Sequence, residues 1–133
     1  MKVAFGYEEK FVNDFINTSH RDRVLFELKS SKKRLNALMR FAHNTNELVK
    51  LNKVYSKLKK YDFNILNSFL KEQEFYVISF KYLDGTIMNV SEVLEYIDDE
   101  YMPVIVCGSN IAVIKKEFEK GEDNYYLLKN RIK

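Results

Sequence analysis

In PVIVCGSNIAVIKK, residues 103–116, two apolar runs, Val104 to Cys107 and Ile111 to Ile114, flank Gly108-Ser109-Asn110. Gly, Ser and Asn form turns and tolerate positive φ, so the pattern predicts an antiparallel hairpin. Both of its faces are apolar: Val104 and Val106 stand against Ile105 and Cys107, and Ile111 and Val113 against Ala112 and Ile114. EFYVISF, residues 74–80, also carries large apolar groups on both sides, and NYYLLKN, after the Lys120-Gly121-Glu122-Asp123 turn, predicts a last strand. A sheet that is dry on both faces needs two covers.

The chain before residue 74 supplies one of them. Val24, Leu28, Leu35, Leu38, Met39 and Ala42 share a single stripe at helical period, with Ser30-Ser31 loosening its middle. Asn44 to Glu47 reads as a capping box that opens a second helix carrying Leu48, Leu51, Tyr55 and Leu58. A short helix after Asp62 buries Leu66, Phe69 and Leu70, and residues 8–16 form another with Phe11 and Phe15 on one side. Beyond the first strand and its Leu83-Asp84-Gly85 turn, Asn89 to Glu92 caps a short helix bearing Val93, Leu94 and Ile97. The prediction is a single α+β domain over 1–133, with N-terminal helices at about 7–73 packed on a mostly antiparallel four-stranded sheet at about 74–129 and one short helix after the first strand. Either that short helix suffices for the second face, or a second copy of the chain covers it in a homodimer formed through the sheet.

Several chemistries lose their support here. HRDRVLFE, residues 20–27, opens like a protein-kinase catalytic loop, but Glu27 stands where that chemistry needs an Asn for Mg²⁺. Gly6, Gly85, Gly108 and Gly121 are too scattered to build a phosphate loop. A turn ending at Thr18 or Ser19, with Asp22 in the first turn of a helix, accounts for the stretch. One cysteine forms no internal disulfide, and two histidines without a Cys/His cluster build no zinc site. Cys107, inside an apolar alternation, reads as a buried, inert thiol. Asp98-Asp99-Glu100 lacks the spacing of a calcium loop, so neither metal nor cofactor is expected. MKVAFGYEEK meets Glu8-Glu9 before any long apolar run, and no apolar stretch approaches a membrane span. A cytoplasmic protein without membrane association is expected.

Charge separates along the chain more than the net +3 implies. Residues 1–60 hold 14 Lys and Arg against 6 Asp and Glu, while residues 61–133 hold 8 against 13. On the predicted helices Lys29, Lys33 and Arg40, then Lys50, Lys53, Lys57 and Lys60, fall opposite the apolar stripes, where they can follow a phosphate backbone. Between Lys81 and Lys115 there is no cation, whereas Asp84, Glu92, Glu95, Asp98, Asp99 and Glu100 carry six negative charges. A field of one sign steers a basic partner. The pattern points to a non-catalytic bacterial binding module of inhibitor or immunity type, meeting another, basic protein through Glu92, Glu95, Asp98, Asp99 and Glu100. Nucleic-acid binding by the basic helix faces is the alternative, and an enzyme without a recognisable motif the second.

Overall fold

The computed structural model of the chain describes residues 2–80 and 83–130. Helices α1 (Lys2–Phe15), α2 (Thr18–Lys29) and α3 (Arg34–Leu48) precede a 3-10 turn at Leu51–Lys53 and strand β1 (Val54–Leu58). Then follow α4 (Phe63–Phe69), β2 (Phe75–Ser79), β3 (Ile87–Met88), α5 (Val90–Asp99), β4 (Val104–Cys107), β5 (Ile111–Lys115) and β6 (Tyr125–Lys129). All pairings are antiparallel, in the order β1-β6-β5-β4-β2-β3. The α+β class holds, and the sheet has six strands where the sequence predicted four.

Both faces of the sheet are dry, and one chain covers both. Tyr76, Ile78, Ile105, Cys107, Ala112, Ile114, Tyr126 and Leu128 point at α1–α3, meeting Phe11, Phe15, Val24, Leu28, Leu38 and Phe41. Phe75, Val77, Val104, Val106, Ile111, Val113, Tyr125 and Leu127 point the other way, under Leu66 and Leu70 of the α4 segment and Val93, Leu94 and Ile97 of α5. Each of these large side chains contributes about 1.5–3 kcal/mol by leaving water. The short helix therefore does not work alone: α4 shares the second face.

The helix predicted from Asn44 through Leu58 does not form, and this correction adds β1 to the sheet. Asn44 is no cap; it is a kink (φ −131°, ψ 35°) inside α3, which runs on to Leu48. The helix stops there because the end of α1 captures the chain: Asn17 N–H donates to Leu48 O, Lys50 N–H to Phe15 O, and the Asn17 side-chain amide to Glu47 O and Val49 O. β-Branched Val54 and aromatic Tyr55 then suit a strand, and the edge of β6 offers it a partner. The stripe from Val24 is also broken: residues 31–33 form a turn, and Leu35 is exposed. β3, two residues long, was missed because it has no period to detect.

The hairpin turn closes for a different reason than predicted. Among the described residues only Gly85 and Gly121 have positive φ, so Gly108-Ser109-Asn110 needs none. Glu72 clasps it instead, accepting hydrogen bonds from Ser109 N–H at 2.6 Å and Asn110 N–H at 3.0 Å. A Cβ on Gly108 would run into that carboxylate, so a larger residue there would have to push the Glu72 side chain off the turn.

One half-buried ionic cluster fastens the helical layer to the sheet. Arg34, at the start of α3, makes a fork to Asp84 (2.7 and 3.0 Å), reaches Glu8 of α1 at 2.5 Å and donates to Leu28 O at 2.8 Å. Tyr76 of β2 donates to the same Glu8 carboxylate, and Asp84 accepts Ser79 N–H at 3.0 Å. Burial works against the guanidinium charge, but the hydrogen bonds to Glu8 and Asp84 outweigh it and hold Arg34 above its usual pKa. Arg34→Met leaves these carboxylates without their cation, and the expected loss is about 3–5 kcal/mol, read from the urea midpoint. Adding Glu8→Gln and Asp84→Asn should restore part of it. A single variant within about 0.5 kcal/mol of wild type would show the cluster to be dispensable.

Candidate functional site

The acidic segment folds as its sequence implies at one end and is tied down at the other. Asn89 accepts Glu92 N–H at 2.9 Å while the Glu92 carboxylate accepts Asn89 N–H at 3.0 Å, a complete capping box. Glu92 is thus engaged in starting α5. Glu100 is buried at the other end, and its carboxylate accepts Met102 N–H at 3.1 Å. The buried ammonium of Lys115 donates to Ile97 O and Glu100 O, closing the C-terminus of α5 with a positive charge where the helix dipole favours one. Burial lowers the Lys115 pKa, and Glu100, Asp98 and Asp99 oppose that shift. Glu95, Asp98 and Asp99 remain exposed to solvent, on the side of α5 opposite buried Val93, Leu94 and Ile97.

Asp98 and Asp99 form one wall of a cavity of about 370 Å³ at this end of the helix. Its lining includes Tyr61 and Tyr125, whose rings meet edge to face at 6.4 Å, together with Tyr101 and Phe118. Tyr101 is 84% exposed and Phe118 59% exposed. Burial, then Asp98 and Tyr61, push the Tyr125 phenol up to about 12, and burial and Asp98 also raise Tyr61. The carboxylate of Asp98 thus makes its field felt inside the cavity. Lys60 is the exposed cation at this rim. Tyr101 and Phe118 went unnoticed in the sequence. The signal was present, since Phe118 stands alone between charges in KKEFEKGED, where no apolar period continues.

The predicted basic residues do not share one helical surface. Lys29 pairs with Glu9 at 3.5 Å, Arg40 forms an ion pair with buried Glu27, and the Lys33 ammonium lies 5.5 Å from the Phe26 ring centroid. Lys50, Lys53 and Lys57 lie on the turn into β1 and on β1 itself, where they donate to oxygens of Asn13, Asn130 and Asn46. Lys60 lies across the sheet at the acidic cavity. The two parallel cationic helix faces are absent because the second helix is absent.

Cys107 is buried, and desolvation, followed by the charge of Glu8, pushes its thiol well above the usual range. His43 is exposed on α3, while His20 lines a small cavity with Arg23, Arg40 and Glu47. Among the described residues no group of three His, Cys, Asp or Glu converges as metal ligands would, and no helix is long and apolar enough to cross a membrane. No protein-family model matches the chain, and neither does a curated protein or a solved structure.

The raised tyrosine fixes the sign of an alkaline transition. Tyr125 holds its proton to about 12 when folded against 10.0 as a free phenol, so its contribution is complete below pH 10 and drains away as pH rises through 12. The expected outcome is a phenolate absorbance titration with a late step coincident with loss of near-ultraviolet circular dichroism. Tyr125→Phe should make stability less pH-dependent in that window. An unchanged profile would show that Tyr125 ionises freely in the fold.

Proposed function

We propose that the chain is a non-catalytic protein-binding module that captures a basic partner at the end of α5. The observation that carries this reading is the pair of aromatic side chains, Tyr101 and Phe118, standing in solvent at the rim of the cavity walled by Asp98 and Asp99. Large aromatic groups surrounded by charge are the usual anchors of protein interfaces, and Tyr is among the side chains most often found to dominate them. The carboxylates accelerate encounter, and the rings then hold what the field has drawn in. Glu95, Asp98 and Asp99 form the steering surface, while Glu92 and Glu100 hold the helix that presents it.

A module of inhibitor or immunity type, occupying the basic cleft of another protein in a bacterial cytoplasm, suits this chemistry. A single buried, unpaired thiol is consistent with a reducing compartment. The partner is recovered by affinity capture on the wild-type chain and its binding measured directly. Tyr101→Ala with Phe118→Ala should lower affinity by roughly thirtyfold or more, as expected for central anchors, while folding stability changes by less than about 0.5 kcal/mol. Asp98→Lys with Asp99→Lys should slow association and flatten its salt dependence. A partner that binds wild type and both variants equally would overturn the assignment.

A further inference from the structure

A cavity of about 580 Å³ opens between β1 and α4 at the outer edge of the sheet, and it shares no lining residue with the acidic one. Tyr55, Ile65 and Phe69 give it an apolar floor; Tyr55 is 53% exposed and Ile65 42% exposed. We propose that β1 accepts an extended, acidic segment of a partner protein as a seventh strand, its apolar side chains seated on Tyr55, Ile65 and Phe69 and its carboxylates on the lysines of residues 50–59.

The main chain of β1 is arranged for this. β6 flanks it on one side, and among the described residues no strand flanks it on the other. Asn130 N–H donates to Asn110 O, so by alternation the even-numbered residues of β6 bond to β5 and the odd ones turn to β1, while Asn124 N–H, just before β6, donates to Leu58 O. Ser56 and Leu58, opposite Leu127 and Tyr125, therefore use their backbone groups on β6. Alternation turns the N–H and C=O of Lys57 outward, to the edge where a further strand would bond.

Charge selects the occupant. Lys50, Lys53, Lys57 and Lys59 fall between Glu47 and Asp62 with no carboxylate among them. The contacts of Lys50, Lys53, Lys57 and Lys59 are to neutral oxygens of Asn13, Asn130, Asn46 and Gly121. Burial, then the neighbouring Arg21 and Lys53 charges, lower the Lys50 pKa, with Asp14 opposing them, so cations outweigh the one nearby carboxylate. A second copy of the chain would bring the same lysines to the edge and be repelled, which is how edge lysines prevent self-pairing. A nucleic acid would meet the same charge, but the Tyr55 ring already stacks on Phe69 at 5.5 Å and lies 5.2 Å from the Lys129 ammonium, so it is not free for a base. A strand carrying both apolar groups and carboxylates satisfies the backbone, the groove and the charge together.

The probe is a synthetic heptapeptide of alternating glutamate and valine, titrated into the full chain and followed by fluorescence anisotropy and amide exchange. Saturable binding is expected, with Lys57 N–H exchange slowed by roughly tenfold or more, the level of one new backbone hydrogen bond. Replacing glutamate by lysine in the peptide should weaken binding by at least about tenfold. N-Methylation at alternate peptide residues should abolish binding in one register and spare it in the other. Lys57→Pro, which removes an outward N–H at an edge position that tolerates proline, should lose binding with circular dichroism unchanged; if that variant unfolds, the methylated peptides decide. Failure of the alternating peptide to bind, equal binding by the two methylated peptides, or displacement of the peptide by a single-stranded oligonucleotide at lower concentration would each overturn the proposal, the last in favour of a nucleic-acid edge.

Discussion

A sheet whose two faces are both apolar cannot face water on either side, and this requirement organises the molecule. Four consecutive neighbours, β6, β5, β4 and β2, are almost wholly buried, so the chain spends its other elements on cover. Three helices lie over Tyr76, Ile105, Ile114 and Leu128, while two short ones lie over Phe75, Val106 and Leu127. Because the cover of the second face is so economical, the polar groups left at its margins, at the ends of α4 and α5, are where cavities open.

Polar side chains, buried or half-buried, act as fasteners at the ends of elements. Arg34 ties the start of α3 to the turn after β2, Lys115 closes α5, and Glu72 clasps the β4–β5 turn. Buried Asn124 uses its amide on Lys59 O, Glu119 O and Glu122 O, so the loop before β6 is hydrogen-bonded from within. Each fastener replaces water at backbone groups that burial would otherwise leave unsatisfied. The same economy separates the acidic residues, because Glu92 and Glu100 are engaged at the start and at the end of α5 and Asp98 and Asp99 stay exposed to solvent.

Local chemistry was legible in the sequence and distant pairing was not. The Asn89–Glu92 box, the short helix after Asp62 and the β4–β5 hairpin rest on residues within a few positions of one another, and all three are present. β1 was read as helix because Leu48, Leu51, Tyr55 and Leu58 repeat at helical spacing by coincidence, while what ends α3 is a set of bonds from Phe15 and Asn17, about thirty residues earlier. Nothing in the composition of residues 8, 34 and 84 marks them as mutual partners, and an exposed aromatic such as Tyr101 has the same letter as a buried one. The exposed acidic residues of α5 were therefore readable, while the exposure of Tyr101 and the edge position of β1 required the fold.

The order of the sheet also imposes a timetable on biosynthesis. Among the described residues β1 pairs only with β6, which is made after all the other strands described, and α1–α3 have no sheet to cover until residues 75–129 have been made. During that interval Phe11, Phe15, Phe41 and their neighbours can bury against one another but not against the strands they finally meet. Such non-local closure slows folding and prolongs exposure of apolar surface. The nascent N-terminal half, carrying its excess of positive charge, is kept apart from its own copies by that charge until the acidic half arrives to complete it.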